Sequence, residues 1–541
     1  MPIFDLNDAK PLEGYKSRRG HRTLDAGSIP GLQMGGSGTG GFAAAKINRL
    51  TMDFIAKSRS ADQDLFGDNI RLRARARSLA LDNPFVKKFL QMLSQNVVGS
   101  TGILMQSKVV GVNGEPTAST DKINKRIEEE WNIWAKKGNC TADGKFSLVA
   151  LEHMAIKTWG REGENLVKFV YGRQFNDTGI ALQPLDNDQL DDTYMTSLGN
   201  GGSIRMGVEV DKYRRPLAYW LWTEHPSDII GGQRERIRIP AAQIIHSAMW
   251  ERPGQTRGYS QLAAVILQIN QYAGWDEATL VAARASAAKF ATIEEEYAEG
   301  EYADDEDYQG DSTNTDGTQV MTANPGEMLQ LEPGQKLNFT DPRFPMNSHK
   351  EFSQTILRAI ATGLLVSYPS LANDLEGVNF SSIRAGLLDE RDCWRVIQRW
   401  FIEDFLEPIR LRWLNTALLT TLSDVELTPK QMTQVTWRAR GWDWVDPVKD
   451  ADAAILRISN GLGTYTNELG KLGMDFEETM KERRVEQDFI TKLKLQMGTD
   501  LTGDQGGKGI AAGAETDVTE EGAGAKPGGA TPSSKPKGKG K

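Results

Sequence analysis

Carboxylates form the densest group of chemically active side chains in this sequence. Ten of them lie between Glu294 and Asp311, and no Lys or Arg interrupts them. The run lacks the spaced Asp-x-Asp-x-Asp-Gly pattern, closed by a Glu, that surrounds a calcium ion with oxygen atoms. We therefore interpret it as a solvated loop whose like charges repel one another.

Glycine, histidine and cysteine give no pattern that predicts a cofactor or metal site. The segment Gly36-Ser37-Gly38-Thr39-Gly40-Gly41 matches G-x-G-x-x-G, but no strand or βαβ unit surrounds it, as a pyrophosphate site requires. The ATP-binding motif G-x-x-x-x-G-K followed by Ser or Thr does not occur, which argues against a motor in this chain. The five histidines are scattered, and Cys140 lies far from Cys393. We expect no cofactor, no metal and no disulfide framework.

Arginines and tryptophans are the side chains best suited to bind DNA here. Arginine alternates in Arg71-Leu72-Arg73-Ala74-Arg75-Ala76-Arg77, but a spacing of two on a helix points side chains to different faces, so we predict separate salt bridges. Trp437, Trp442 and Trp444 could stack on bases, although Gly441 and Pro447 nearby favour a role in filling a domain junction. We see no set of nucleophile, base and oxyanion donors, so the sequence predicts a protein that is not an enzyme.

Size and charge limit the classes of protein further. The chain has 541 residues and a mass of 59.8 kDa, enough for roughly three or four structural units. Its net charge is −9, and the ten carboxylates of the acidic run account for it. The remaining chain is nearly neutral, which predicts neither a basic nucleic-acid surface nor an acidic mimic. We find no apolar run of the ~18 residues that a spanning helix needs and no leader pattern, and two cysteines fit the reducing cytoplasm.

The elements that must position these residues change in type along the chain. A Gly-rich arm precedes a helical pattern from Leu65 to Val98, which Asn83-Pro84 restarts. An amphipathic stretch from Ile123 to Trp134 places Ile127, Trp131 and Trp134 on one predicted core face.

Strand-like segments follow and predict an α+β region. They are Leu166 to Tyr171, a hairpin of Ile204 to Val210 with Leu217 to Thr223, and two short strands at Ile237 to Pro240 and Ile244 to His246.

The second half is predicted to be mostly helical. An Ala-rich helix over Gln261 to Phe290 has several smooth faces, which suits packing in a single-chain core and equally packing between identical neighbours in a ring. The acidic run then opens an insert with strand-like Thr318 to Thr322 and Met328 to Leu331. A helix returns near Asn347-Ser348, with Ser348 and Glu351 as its predicted capping box. A loop, a long helix from about Ser382, a helical segment after Asp446 and a Gly- and Lys-rich tail complete the chain.

Taken in order, several motifs resemble the portal proteins of tailed bacteriophages, of the lambda type. The likeness extends from about Leu65 to Lys494. The matching segments are Arg71 to Arg77, Asp82-Asn83-Pro84-Phe85, Trp131-Asn132-Ile133-Trp134, Ile239-Pro240-Ala241, Ile245-His246, Arg252-Pro253-Gly254-Gln255-Thr256-Arg257-Gly258, Gly363 to Tyr368, Asn379 to Ala385, and Arg440-Gly441-Trp442 with Asp446-Pro447. Within them the likeness marks these residues as structural: Arg73, Arg77, Asn83, Pro84, Trp131, Trp134, Arg252, Pro253, Gly254, Gln255, Arg257, Gly258 and Arg384.

The resemblance implies an α+β portal-type subunit with an α/β wing, long stem helices, a small α/β clip insert and an all-helical crown. The implied divisions are the wing (51–260), the first stem helix (261–290), the clip (291–346), the second stem helix (347–366), a channel loop (367–382), a long helix returning to the wing (383–445) and the crown (446–497). Composition alone predicts the flexible Gly-rich arm (1–50) and the disordered C-terminal tail (498–541), and the arm and the acidic run match no motif of the family.

By the same resemblance the chain forms a ring, typically of about twelve subunits, at one capsid vertex of the virion. Double-stranded DNA would pass through it, independent of sequence, during packaging and ejection, and the ring could nucleate procapsid assembly. The channel loop would contribute Asn373, Asp374, Glu376, Gly377, Asn379, Phe380, Ser381 and Ser382. The clip, with Glu327, Lys336 and Arg343, would dock the terminase large subunit and then the head–tail adaptor. Major capsid or scaffold protein is a further implied partner; no membrane is involved, and synthesis would take place in the host cytoplasm.

Two other classes of protein stay open at this point. A non-catalytic DNA-binding structural protein would use the arginines and the lysine-rich tail, and its binding would depend steeply on salt. An enzyme carried in the virion would need a cluster of reactive hydroxyl or histidine groups, which the sequence does not show.

Overall fold

The computed structural model describes residues 58–111, 113–199, 201–228, 234–287, 291–295, 335–339, 346–376, 380–442, 447–474 and 476–493. Within them, helices combine with antiparallel sheets, which confirms the α+β fold class. The Gly-rich arm, the strand-like segments at 318–322 and 328–331 and the C-terminal tail lie outside these residues. None of the helices in the described ranges is long and apolar enough to cross a membrane.

The helices and strands have the following bounds. The helices are α1 (Ala61–Leu65), α2 (Asn69–Asp82), α3 (Pro84–Val97), α4 (Ala118–Trp134), α5 (Leu148–Glu162), α6 (Ile266–Ala287), α7 (Met346–Gly363), α8 (Tyr368–Ala372), α9 (Phe380–Phe401), α10 (Glu407–Ala417), α11 (Pro429–Met432), α12 (Pro447–Ser459), α13 (Tyr465–Lys471) and α14 (Phe476–Leu493). The strands are β1 (Leu104–Ser107), β2 (Glu164–Tyr171), β3 (Ile180–Leu185), β4 (Thr196–Ser197), β5 (Ser203–Arg205), β6 (Val208–Val210), β7 (Pro216–Trp222), β8 (Arg236–Pro240), β9 (Ile244–Ala248), β10 (Ala291–Glu295), β11 (Gln335–Phe339) and β12 (Val435–Arg438).

The chain divides into two compact units. The first comprises residues 1–87, 158–169 and 183–349, and the second comprises residues 88–157, 170–182 and 350–541. In the first unit, strands β4 to β8 form one antiparallel sheet in chain order, and β2 pairs antiparallel with β9. The core of these strands contains Leu166, Leu190, Val208, Val210, Tyr219, Leu221, Ile239 and Ile244.

The predicted hairpin is confirmed, with one correction. Strands β6 and β7 pair across the turn of residues 211–215. The segment Ile204 to Val210 was expected to be one strand, but it is two, β5 and β6, because Met206 and Gly207 have φ values of 45° and 82° and turn the chain. Left-handed backbone at both central positions is typical of a two-residue hairpin turn.

In the second unit the predicted core face of α4 is confirmed. Ile127, Trp131 and Trp134 are buried, and the ring centroids of Trp131 and Trp413 lie 5.0 Å apart, edge to face. Trp437 of β12 lies against Trp131, at 6.2 Å between centroids. Strand β12 pairs antiparallel with β1 and so joins this aromatic core.

Helix boundaries match the predictions in type and differ in detail. Asn83 ends α2, and its Oδ1 accepts hydrogen bonds from the backbone N–H groups of Phe85 and Val86, at 3.0 and 3.2 Å, which restarts the chain as α3. The Ala-rich helix is helical over Ile266–Ala287, after a 3₁₀ turn at Gln261–Ala264. Helix α7 begins at Met346, so Ser348 lies inside the first turn and the predicted capping box is wrong.

The loop predicted over 367–382 is shorter than expected, because α8 occupies its first part and α9 begins at Phe380. Pro369 favours helix within α8 because its fixed φ suits a first turn. In the insert, β10 pairs with β11, and Glu294 takes the register position opposite Lys336. The first two carboxylates of the acidic run therefore lie in a strand and not in a loop. After residue 446, the three helices α12, α13 and α14 follow one another, as the predicted helical segment requires.

Candidate functional site

The arginines of α2 bind to a cluster of carboxylates in the first unit. Arg73 and Arg77 are one turn apart, so they leave the same face of the helix. Arg73 donates to Asp188 at 2.6 Å and to Asp192 at 2.5 Å. Arg77 donates to Glu162 at 3.0 and 2.7 Å and to Asp188 at 2.5 Å. The predicted salt bridges are confirmed for these two arginines, but they form one connected network in which the Arg73 side chain is buried.

Arg71 and Arg75 lie on the other faces of α2 and are exposed. This agrees with the prediction that alternate arginines point in different directions. The alternation directs two of the four guanidinium groups towards the protein interior and two towards solvent. The four arginines therefore do not form one continuous phosphate-binding surface.

Arg257 lies at the centre of the same network. Its guanidinium is fully buried and donates to Glu164 at 2.5 to 3.0 Å, to the Met206 carbonyl at 3.0 Å, and to Asp192. Glu164 is also buried, and it contacts His246 Nε2 at 2.9 Å. Burial alone would raise the pKa of Glu164, but the charges of Arg257 and His246 outweigh it and hold that pKa well below its ordinary value.

The Arg252–Gly258 loop attaches α1 to this network. Arg252 donates to Asp64 at 2.6 Å, and Gln255 donates to the Arg257 carbonyl at 2.9 Å, which closes the loop on itself. Thr256 donates to the buried carboxylate of Asp62 from its backbone N–H at 2.8 Å and from its hydroxyl at 3.0 Å. Pro253 and Gly254 form the turn, where Gly254 has a φ of 75°. The motif therefore fixes α1 against the loop.

Gly258 has a steric reason to be glycine. A Cβ atom placed on it would lie 2.2 Å from the carbonyl oxygen of Gly163, and a Cβ on Gly163 would lie 2.0 Å from the carbonyl carbon of Tyr259. The two backbone segments approach too closely for any side chain. Asn69 of α2 donates to the Gly258 carbonyl at 3.2 Å and holds the same contact.

Charged groups in this network pair with groups of opposite charge, so the network stabilises the fold. Its carboxylates accept from arginines, and its arginines donate to carboxylates or carbonyls. Such a network keeps no ionised group available as a nucleophile or a base in the residues described here.

The segment between α7 and α9 carries the second set of predicted site residues, in the second unit. Asn373 ends α8 with a φ of 53° and turns the chain outward. Asp374 accepts from the Tyr368 hydroxyl at 2.6 Å, from Gln354 at 3.2 Å and from the backbone N–H of Glu376 at 3.0 Å. These bonds fix the direction of the Asp374 carboxylate.

Both carboxylates of this segment, the half-buried Asp374 and the exposed Glu376, have partners on neighbouring helices. The hydrogen bond from Tyr368 is the largest cause that lowers the pKa of Asp374. Lys350 of α7 donates to Glu376 at 2.5 Å, and this bond raises the pKa of Lys350. Tyr368 and Lys350 therefore hold the two carboxylates of this segment in defined positions.

Ser367, at the start of α8, is tied to α9. Its backbone N–H and its hydroxyl donate to Glu390 at 3.1 and 2.8 Å. Trp394 donates to the other oxygen of Glu390 at 3.2 Å. The turn before the exposed carboxylates is thus fixed to the long helix that follows them.

Comparison with known proteins decides the family. Residues 48–398 match the family model described as "Phage portal protein, lambda family". The "Probable portal protein" of Halomonas phage phiHAP-1 is 34% identical over 82% of this chain and 85% of its own length. The chain belongs to the lambda family of phage portal proteins. This confirms the resemblance to lambda-type portal proteins that the sequence motifs indicated.

More distant relatives carry the same description. This portal protein is 24% identical to the "Portal protein" of Escherichia phage N15 over 79% of the chain and 85% of that protein, and 23% identical to "Portal protein B" of Escherichia phage lambda over 84% and 88%. Among solved structures, a chain titled "Neck of native GTA particle computed with C12 symmetry" matches 75% of the portal chain and 94% of its own length, at 14% identity and a TM-score of 0.42.

Several expected site residues of the portal protein have no described side chain. Gly377, Asn379, Glu327 and Arg343 lie outside the described residues. Phe380, Ser381 and Ser382 lie in the first turn of α9, and Lys336 lies in β11. The expected channel and clip roles of these residues stay predictions.

Other family-motif residues pack in the core, join two helices or pair with a neighbouring helix. Asn83 and Pro84 form the junction of α2 and α3, and Trp131 and Trp134 lie in the aromatic core. Arg384 of α9 donates to Asp450 of α12 at 2.7 Å.

One group of side chains has the composition of a metal site. Ligand atoms of Asp186, Asp188 and His225 lie within 4.8 Å of one another. Both carboxylates are ion-paired with Arg77, at 2.7 and 2.5 Å. A cation would have to displace these contacts, so the group belongs to the arginine network.

Sequence reasoning missed the acidic half of the arginine network and the partners of Asp374 and Glu376. Asp62, Glu164 and Asp192 come from three separate segments, and only the fold brings them to the Arg252–Gly258 loop. Only one feature of the sequence points to these carboxylates. Arginines that become buried need carboxylates from elsewhere in the chain as partners. Lys350 and Tyr368 were missed because their partners lie across a turn whose geometry depends on Asn373.

Proposed function

We propose that this portal protein assembles into a closed ring at one vertex of a phage capsid and serves as the conduit for double-stranded DNA. Membership of the portal family supports this proposal. The ring would place the same channel surface around the duplex many times, and DNA would pass independent of its sequence, because repeated identical contacts read only the backbone.

The surface of α6 carries the argument for a ring. The helix is apolar on most of its faces, and Leu267, Leu280 and Val281 expose 67%, 56% and 58% of their surface in the isolated chain. A helix that is apolar all round is normally buried. Neighbouring copies of the same chain would cover these faces if the subunits stand side by side.

The helices after residue 446 repeat this pattern. Val448, Ile455, Leu462 and Phe489 are exposed by 60% or more. Such a density of exposed apolar side chains is typical of a surface that another protein covers. In a ring, α12 to α14 of adjacent copies would supply the cover, in the position that the family resemblance assigns to the crown.

The proposed conduit is passive. The terminase large subunit would dock at the clip and supply the work of packaging, after which the head–tail adaptor would replace it. Major capsid or scaffold protein would hold the ring in the shell, where the ring could nucleate procapsid assembly. The protein would thus act as a component of the virion and have no catalytic role.

The segment from Asn373 to Glu376 would face the DNA. The carboxylates of Asp374 and Glu376 repel phosphates, and each is held in place by Tyr368 or Lys350. Repetition around the ring would multiply these two carboxylates, and their field weakens within about 10 Å at physiological salt. The loop would therefore limit sticking of the duplex only when the duplex is close.

Neutralising these two carboxylates tests the proposal. In Asp374→Asn with Glu376→Gln, we expect DNA to adhere to the loop and full-length genome packaging to fall by about twofold or more, because the repulsion of phosphates is removed. Packaged DNA would be measured by nuclease protection and gel electrophoresis. The control variant, Asp121→Asn with Glu129→Gln, makes the same charge change on the exposed face of α4. Equal packaging by both variants and the unaltered protein would refute the assignment of the loop.

A further inference from the structure

The second half of helix α14 is exposed on all of its sides. The first turn of α14 packs on α13, where the rings of Tyr465 and Phe476 stack with their centroids 6.1 Å apart. From Lys481 to Phe489, however, nine successive residues are exposed. A helical segment of fewer than about 12 residues is marginal in water when nothing packs on it. This half of α14 therefore needs a partner that the single chain does not supply.

One side of this segment is apolar. Val485, Phe489 and Leu493 follow one another at intervals of four residues, so they lie along one side of the helix. Each of the three exposes more than half of its surface. We call this row of side chains the α14 stripe.

Helix α12 carries a second apolar row. Ile455 and Leu456 follow Val448 by seven and eight residues, which places them on one side of α12. Each exposes more than 60% of its surface, whereas Ala454 on the opposite side is buried within the unit. We call this row the α12 stripe. Val448 to Ile455 and Val485 to Leu493 span about 10.5 and 12 Å at 1.5 Å per residue, so the two stripes have similar lengths.

The symmetry of a ring decides which surfaces can meet. In a ring of more than two copies each contact joins two different surfaces, so the α14 stripe cannot pack on the α14 stripe of the next copy. Rotation about the ring axis also keeps every element at its own height along that axis. The neighbour therefore offers the elements that lie beside α14 in the chain. Helix α13 contacts α14, and Glu468 of α13 pairs with Arg457 of α12 at 3.0 Å, so α12 lies near the required height.

Helix α9 offers a less suitable surface, although it also contacts α12. The ion pairs Asp392–Arg395 and Arg399–Glu403 lie on its exposed side, at 2.5 and 2.8 Å. Packing the α14 stripe on them would bury these charges, which is costly. The α12 stripe carries no such pair among the described residues.

The charges beside the two stripes are complementary. Asp452 is exposed and lies within the α12 stripe, one turn from Val448 and from Ile455. Lys492 is exposed beside Leu493 and lies one turn from Phe489. Neither charge has an ion pair among the described residues. A carboxylate enclosed in an apolar contact requires a cation, and Lys492 of another copy would supply it.

We propose that the α14 stripe of one copy packs on the α12 stripe of the next copy, with Lys492 paired to Asp452. This inference rests on the proposed ring and identifies two surfaces that meet in it. The second half of α14 then becomes packed only on assembly. An open arc of subunits would leave one α14 stripe and one α12 stripe uncovered at its ends, and closure of the ring would cover both.

Crosslinking between two kinds of chain tests the contact. One full-length preparation carries Asp452→Cys and the other carries Lys492→Cys, and a short bismaleimide joins thiols after the two have assembled together. We expect at least about fivefold more crosslinked dimer from this mixture than from either preparation alone, because proximity raises the local concentration of one thiol at the other.

The matched control replaces Lys492→Cys by Gln487→Cys, which lies on the opposite, exposed side of α14. Chains without an added thiol control for Cys140 and Cys393. Equal yields from the two mixtures in particles of ring mass would overturn the proposal.

Exchange of the two charges tests the recognition. Asp452→Lys should raise the concentration at which half of the chains are assembled by about tenfold, because it would face Lys492 of the neighbour. Lys492→Asp should have the same effect, whereas Glu129→Lys on exposed α4 should have none. The chain with both exchanges should assemble like the unaltered protein, which also shows that the single variants can fold. Failure of this double variant to recover would count against the pairing.

Native mass separates this contact from the function on which it rests. Rings that form normally, and whose thiols at positions 452 and 492 do not crosslink, would refute the contact and leave the ring intact. An unaltered protein that forms no ring, even with capsid and scaffold proteins present, would refute both.

Discussion

Arg257 is a family-motif residue whose contacts lie inside the fold. Its guanidinium offsets the buried charges of Glu164 and Asp192, and both of these carboxylates are themselves nearly inaccessible to water. Removing one member of a buried ionic group leaves the others as uncompensated charges. Substitution at this position should therefore affect folding before it affects DNA passage.

Arg257→Met should lower the free energy of unfolding by about 3–5 kcal/mol, since Glu164 and Asp192 lose their shared partner in a buried site. Chemical denaturation followed by tryptophan fluorescence measures the change. Arg238→Met is the control, because Arg238 pairs with Glu209 at 2.8 Å on the surface, and such pairs contribute about 1 kcal/mol or less. Losses of equal size in the two variants would contradict a structural role for the buried network.

Glu152 gives the second unit a pH dependence. It is fully buried and accepts one hydrogen bond from the backbone N–H of Ile103 at 3.0 Å. Burial raises its pKa from an ordinary value of 4.5 to about 8. Between these values the folded state holds the proton that the unfolded state has released, so stability falls as the pH rises from about 4.5 to 8.

In Glu152→Gln this contribution should disappear, since glutamine cannot ionise and can still accept from Ile103. We expect the stability of the variant to fall less steeply over that range, by at most about 1.4 kcal/mol per pH unit. Above pH 8 the variant should be more stable than the unaltered protein. Denaturation midpoints at several pH values measure this, with Glu129→Gln on exposed α4 as the control; parallel curves for Glu152→Gln and the unaltered protein would disprove it.

At the scale of elements, local signals predicted much of the fold. The restart at Asn83-Pro84 depends on a cap and a fixed φ, both set by neighbours in sequence, and the core face of α4 follows from helical spacing. The start of α7 was misplaced because an apparent capping box at Ser348 has no effect when the helix already begins at Met346. Helix α8 was missed since Pro369 was interpreted as a loop residue, although proline also suits a first helical turn.

The candidate sites were predicted less completely than the elements. The family resemblance marked Arg73, Arg77 and Arg257 as structural, whereas the spacing of the arginines predicted only separate salt bridges. Neither could identify Asp62, Glu164 or Asp192, because nothing in a single sequence encodes which distant strand ends meet. Tertiary pairing decides these contacts, and local propensity does not.

The proposed clip has a role that can be tested separately from assembly. Lys336 takes the register position opposite Glu294 in the β10–β11 pair. We expect Lys336→Glu to weaken binding of the terminase large subunit by roughly tenfold, because charged groups at a docking surface set orientation and encounter rate. A pull-down assay measures docking and the native mass measures ring assembly, so together they separate the two effects. Lys122→Glu is the control. Loss of ring assembly to the same degree as loss of docking would contradict the assignment of Lys336 to the clip. The same assignment includes Glu327.

On the scale of the whole molecule, the chain combines a nearly neutral body with helices that expose apolar side chains. Leu267 and Leu280 of α6 and Val448 and Ile455 of α12 would be unfavourable on a protein that remains a monomer. A ring covers such faces without requiring a different partner for each. The family supplies the identity, and these surfaces supply the physical reason for assembly.

The native mass of the purified protein tests this account most directly. Twelve copies of 59.8 kDa give about 720 kDa, and light scattering after size exclusion should find a particle of that order, with a central hole in electron micrographs. A chain that remains a monomer of 59.8 kDa at every concentration and salt, with capsid and scaffold proteins also present, would contradict the proposed ring.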